Sequence, residues 1–385
     1  MRPVLILHIL ILCSALAAHA AVGADRFESL AGQAEKARAQ EQFPEAIRLY
    51  REGTALRPSW FEGWWSLGTL LYDQDRFSEA ASAFEHLLSS SRHRDAADAF
   101  LALCAYETGD YDKALAKFRS WASAGWAGAP EFRVVAVYHF ALLLTREGRS
   151  VESLYLLDPL AKRFGATPEL TEAMGLASLR MKYLPEDYPP EARERVWLAG
   201  KAAIYSSNPV EGTSRVGEYT NRLELRYGGE PQVHYFLGTL YSFEGLEADV
   251  EREYRAELKV SPGHAEALTA LAAIELRKSN VDEAASLAGM AVAARPDSAD
   301  AHRLLGRVFI ARQQWQQAAV ELEQAKRLNP ANPLTRAHLA QVYGRLGRSQ
   351  DAAAEIEAYS RLKAREDSMA PAESKLAQPV GEKSP

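Results

Sequence analysis

The chain has 385 residues, of which 47% are hydrophobic and 25% charged, the balance of a soluble globular protein long enough for two or three domains. Its net charge of -6, with no long basic run, speaks against a nucleic acid or an anionic membrane surface as partner.

The first predicted element is an export signal over residues 1–24. In "MRPVLILHILILCSALAAHAAVGAD" one base, Arg2, precedes an apolar run that ends in small residues, with cleavage expected after Ala20 or Ala24. The run is short for a membrane span, and an uncleaved anchor is the alternative. Bulky Leu12 before Cys13 argues against lipid attachment there. The mature chain is then expected to be periplasmic or extracellular. It keeps one cysteine, Cys104, so it has no internal disulfide, and a small buried filler is the expected role.

From residue 27 onward a step of 34 residues organises the chain. One column reads Ala46, Ala80, Ala114 and, later, Val250, Ala284, Ala318, Ala352. Four residues on stand Tyr50, Phe84 and Phe118, then Tyr254, Ala288, Leu322 and Ile356. Pro58, Pro262, Pro296 and Pro330 close units, and a small residue follows a leucine at Leu67-Gly68, Leu237-Gly238 and Leu305-Gly306. Each unit predicts two helices. The first is apolar at positions four, seven, eight and eleven, and the small residue at eight admits a close neighbour. The second stacks positions twenty and twenty-four on one face, and proline ends it. The units are 27–60, 61–94 and 95–128, a fourth near 134–167 after the insertion "RSWASAGWAGAPEF", then 231–264, 265–298, 299–332 and 333–366. The array 27–167 is thus separated from the array 231–366 by an irregular stretch, 168–230. That stretch predicts three helices, one of them over 168–181, with the Pro-rich loop "KYLPEDYPP" taking the place of a fourth. Residues 367–385 read as a disordered tail.

These columns resemble the tetratricopeptide repeat, W-x2-L-G-x2-Y then A-x3-F then P. The resemblance implies an all-α, right-handed superhelical solenoid of helix-turn-helix units whose first helices line a concave face. It places Trp65, Thr69, Tyr72, Tyr106, Tyr138, Leu142 and Tyr235 on that face toward the N-terminus, and Arg303, Arg307, Gln341 and Arg345 toward the C-terminus. The aromatic row suits an apolar peptide, unless the 119–132 insertion covers it. The arginines suit a carboxylate or an acidic segment. The Lys and Asn of the family's carboxylate-gripping version are absent, so that activity is not implied. The middle is also similar, more loosely, to exported bacterial tetratricopeptide-repeat proteins.

A search for chemistry finds little. H-E-x-x-H, G-x-S-x-G and the phosphate-binding G-x-x-x-x-G-K-[ST] are all absent. His234 and His302 stand at position four of their units, two repeats apart, too far to share an ion, and are expected to be packing residues. Pairs such as Glu251 with Arg255 have the spacing of ordinary solvated pairs. The expectation is therefore a non-enzymatic adaptor for a protein or peptide, with no cofactor and no metal. The alternatives are an enzyme, or an accessory subunit, of cell-envelope carbohydrate or peptidoglycan processing, and an outer-membrane assembly component. The enzyme reading requires a carboxylate pair facing one pocket.

Overall fold

A computed structural model describes residues 25–89, 94–125, 132–207 and 212–373. Among these the chain is built of 19 helices without a strand. They are α1 (25–39), α2 (Phe43–Leu56), α3 (Phe61–Tyr72), α4 (Phe77–Glu85), α5 (Arg94–Glu107), α6 (Tyr111–Ser123), α7 (Arg133–Arg146), α8 (Ser150–Phe164), α9 (Pro168–Ser178) and α10 (Arg193–Ser206). Then follow α11 (Gly212–Tyr227), α12 (Val233–Phe243), α13 (Glu247–Val260), α14 (Ala265–Arg277), α15 (Val281–Ala294), α16 (Ala299–Ala311), α17 (Trp315–Leu328), α18 (Pro333–Arg345) and α19 (Ser349–Glu373). The fold is an all-α solenoid of helical hairpins. It forms two compact units that divide between Leu144 and Thr145.

The 34-residue step is as visible in the backbone as in the side chains. First helices end in one left-handed residue, at Glu41, Asp75, Gly109, Gly148, Arg180, Gly245, Ser279, Gln313 and Gly347. The next amide reaches back five residues, as Arg76 N does to Leu71 O at 2.9 Å and Gln314 N to Phe309 O at 2.8 Å. This Schellman closure satisfies carbonyls that a helix end leaves open. Five of these nine positions are not glycine, so the tertiary hairpin holds a conformation that L-residues avoid.

Within each hairpin the small residue at position eight meets position twenty-four. A Cβ on Gly68 would come 2.7 Å from the Phe84 ring, and one on Gly306 would come 2.6 Å from Leu322. Ala80, Ala114, Ala284 and Ala318 of the alanine column are fully buried. Position four joins neighbouring units. Trp64 Nε1 donates to Pro58 O at 3.0 Å and Arg336 to Pro330 O at 3.1 Å, and the His302 ring faces Pro296 O at 2.9 Å. Each proline thus ends one unit and offers its carbonyl to the next.

The middle is irregular in sequence but tightly built, and it lies within the second unit. α9 packs on α10, and α10 on α11. A Cβ on Gly175 would overlap the Val196 carbonyl, and one on Gly200 the Thr171 carbonyl. Two backbones touch there, so α10 takes the second-helix role and the Pro-rich loop lengthens the turn before it. That loop is anchored by buried Leu184 and by Tyr188, whose hydroxyl donates to Glu172 at 2.5 Å. At the C-terminus α19 continues to Glu373, into the stretch read as tail. Residues 374–385, and the expected signal at 1–24, lie outside the described residues. No helix among those described is long and apolar enough to cross a membrane.

Candidate partner-binding surfaces

In the first unit the aromatic residues close on one another. Trp65 on α3 meets Phe84 at 5.8 Å, Phe100 at 5.4 Å and Phe132 at 6.2 Å between centroids. Phe132, at the end of the insertion, packs edge-on against Phe100 at 4.5 Å. Residues 126–131 of the insertion are outside the described set, but its last residue covers this end of the row. Tyr72 packs against Phe77 and Phe100, and burial raises its hydroxyl well above the usual tyrosine range. Thr69 turns its hydroxyl back to Trp65 O at 3.1 Å. Tyr106 is buried between Tyr111 and His139, and Tyr138 lies beside His139. Leu142 is 3% exposed and belongs to the core, so it offers no surface to a partner. α7 is apolar nearly all round, which is why a periodic reading could not separate its buried face from an open one. Cys104 is buried, and burial pushes its thiol up to about 12, so it is inert.

In the second unit Tyr235 is covered as well. It stacks on Tyr254 at 5.4 Å and His264 at 4.7 Å, and the Arg180 guanidinium lies 4.8 Å from its centroid. Arg180 also pairs with Glu266 at 2.5 Å, so the start of the Pro-rich loop is fastened to α12 and α14. Sequence periodicity could not foresee this, because Arg180 lies in the stretch where the 34-residue step breaks down.

The basic residues behave differently. First helices of successive hairpins touch, α14 with α16 and α16 with α18. Arg303 and Arg307 of α16 lie on that side with Arg277 of α14 and His338 of α18. Arg307 is half-buried and makes no hydrogen bond or ion pair among the described residues. Burial first, then the charges of Arg303 and Arg277, hold its guanidinium below the usual arginine range. His338 is pushed down to about 4 by burial and then by Arg307 and Arg303. Its Nδ1 and the Nε of Arg303 are buried without a partner. Among the described residues Asp300, 2.9 Å from Arg303 on its exposed side, and Glu247, bonded to Arg277, answer part of this charge. Buried polar atoms without partners cost stability, and these two lie beside a half-buried arginine with no acid among the described residues.

Gln341 and Arg345 are exposed, and the Arg345 guanidinium lies 5.7 Å from the Trp315 ring. Arg345 is not among the charges acting on Arg307 or His338. His338 and Arg277 complete the cluster in its place. They occupy positions six and thirteen of the flanking units, so scanning those columns for bases would have found them.

The buried acids of this unit have structural work. Glu257 accepts from the amides of Gln232 at 2.9 Å and Tyr235 at 3.2 Å, capping α12 from α13. Glu275 takes Arg255 at 2.9 Å and Asn280 at 2.7 Å. Glu253 takes His234 at 2.7 Å and Arg252 at 2.8 Å. His302 pairs with Glu321 at 2.6 Å in the same register. The expected packing role of both histidines is thus more specific, a side-chain link from first to second helix.

The tetratricopeptide-repeat family profile matches residues 32–98, 66–130 and 276–333. The chain carries tetratricopeptide repeats over these residues. It is similar to the "Probable biofilm formation methyltransferase WspC" of Pseudomonas aeruginosa, 30% identical over 164 residues that make up 38% of this chain and 33% of that protein. The chain therefore spans about a third of the length of that curated relative. Among solved structures it is similar to MamA 41-end from Desulfovibrio magneticus RS-1, 22% identical with a TM-score of 0.37 over 43% of this chain and 97% of that one. A second MamA crystal structure is 14% identical, with a TM-score of 0.39 over 46% and 96% of the two chains. Repeats of this family form scaffolds for protein–protein interaction.

Proposed function

We propose that this chain is a non-enzymatic scaffold whose concave face binds an acidic segment of a protein partner in the second unit. The observation that carries the reading is Arg307: half-buried, beside Arg303, Arg277 and His338, with no acid of its own. Guanidinium groups hold carboxylates bidentately, and one turn of helix separates Arg303 from Arg307, so two carboxylates along a peptide fit the pair. The aromatic row of the first unit is a packed interior first and a partner surface second.

The test uses a fluorescein-labelled, glutamate-rich peptide titrated into the purified chain. Binding should weaken as salt rises, because screening reaches exposed partner charges. An Arg303→Ala/Arg307→Ala double variant should lose roughly tenfold to a hundredfold in affinity, the worth of charge-assisted hydrogen bonds. Equal affinity in both proteins would overturn the reading. The apolar segment at residues 4–18 motivates a second part of the proposal, export to the periplasm or beyond. Fractionation of native cells should place the chain outside the cytoplasm, and retention in the cytoplasm would refute that part.

A further inference from the structure

Glu224 of α11, His234 of α12 and Glu253 of α13 converge, with one ligand atom from each within 4.8 Å of the others. Glu253 is 1% exposed, and its two oxygens are divided, Oε1 toward Arg252 at 2.8 Å and Oε2 toward the His234 ring at 2.7 Å. The Glu224 carboxylate makes no hydrogen bond or ion pair among the described residues.

The repeats supply internal controls. Two hairpins on, His302 and Glu321 repeat the pair, but Val292 stands where Glu224 stands, and the second ring nitrogen faces Pro296 O. In the last hairpin the trio is Lys326, Arg336 and Glu355, whose single carboxylate pairs with both cations at 2.8 Å and 3.0 Å. Only the first trio of these three holds two carboxylates around an imidazole.

We propose that Glu224, His234 and Glu253 form a binding site for a divalent first-row cation, with Zn2+ the best match to one nitrogen and two carboxylate oxygens. The ion takes the place of the proton on the ligating imidazole nitrogen, which leaves to solvent, and water completes the coordination. It ties α11, the last helix of the irregular stretch, to the first hairpin of the C-terminal array.

The test is titration of the chelator-treated full chain with ZnCl2 by calorimetry, and with CoCl2 by visible absorption. One equivalent should bind, with the ligand-field bands of a low-coordinate cobalt site. Glu224→Lys, which copies the residue at position 326, should abolish binding, as should His234→Ala. His302→Ala should leave stoichiometry and spectrum unchanged. No binding by the folded wild type, or full binding by Glu224→Lys, would overturn the proposal.

Discussion

The two ends of the repeat array differ in whether their side chains are already answered. Around Trp65 each aromatic face meets another: Phe84, Phe100 and Phe132 surround it. Around Arg307 no acceptor is supplied by the described residues. An aromatic row and an arginine row look equally like binding surfaces in sequence. In the fold, one is a core built across helices and the other is an unmet electrostatic demand. The comparison teaches that register alone does not separate a surface filled by its own chain from one left unfilled, whatever the residue type.

The largest expected effect breaks the first side of the comparison. Phe100 is buried and touches Trp65, Tyr72, Phe84 and Phe132. Phe100→Ala should destabilise the first unit by about 3–5 kcal/mol in denaturant unfolding, as aromatic truncations in cores do. Because repeat stability is a sum of local terms, binding of the acidic peptide by the second unit should survive. Loss of both together would show that the ends are not independent. Gly68→Ala should cost about 1–3 kcal/mol, since its new methyl must push the fully buried Phe84 ring. An unchanged midpoint in urea would show that the hairpin yields there.

A pH experiment sharpens the other side. The folded-state value of His338 lies at about 4, below its ordinary 6.5, so the unfolded chain binds the proton first. The neutral ring therefore favours the fold above the ordinary value, and that advantage is lost as pH falls toward about 4. Stability followed from pH 7 to 4 should fall less steeply in His338→Gln. Parallel curves for the two proteins would mean that the ring is not held neutral. His234 works in the opposite sense, since its bond to Glu253 outweighs burial and raises its value. Its contribution is present at acid pH and is lost as pH rises through the raised value. The smallest effect is at a turn. Gln313 sits at φ 57°. Gln313→Gly should raise stability by up to about 1 kcal/mol, the strain relieved less the entropy lost, read from the urea midpoint.

Much of the fold was legible because its devices recur at one interval. Gly68, Ala80 and Phe84 announce a hairpin by spacing alone, and the proline at position thirty-two marks each join. The α9–α10 crossing was less legible, because Gly175 and Gly200 are single residues whose partners are backbone carbonyls. At the candidate site Arg303 and Arg307 were visible as a one-turn pair. His338 was not, because its importance comes from what surrounds it. Tyr235 and Leu142 were assigned to an open face by register, yet a loop arginine covers one and core packing buries the other.

Replacing Arg307 with glutamine separates a structural charge from an idle one most directly. The variant keeps most of the stem and removes the charge. Urea unfolding should give a stability equal to or above that of the native chain, since repulsion from Arg303 and Arg277 is relieved. A loss of more than about 1 kcal/mol would mean that Arg307 already has a partner within the fold, and the surface would not be waiting for an acid.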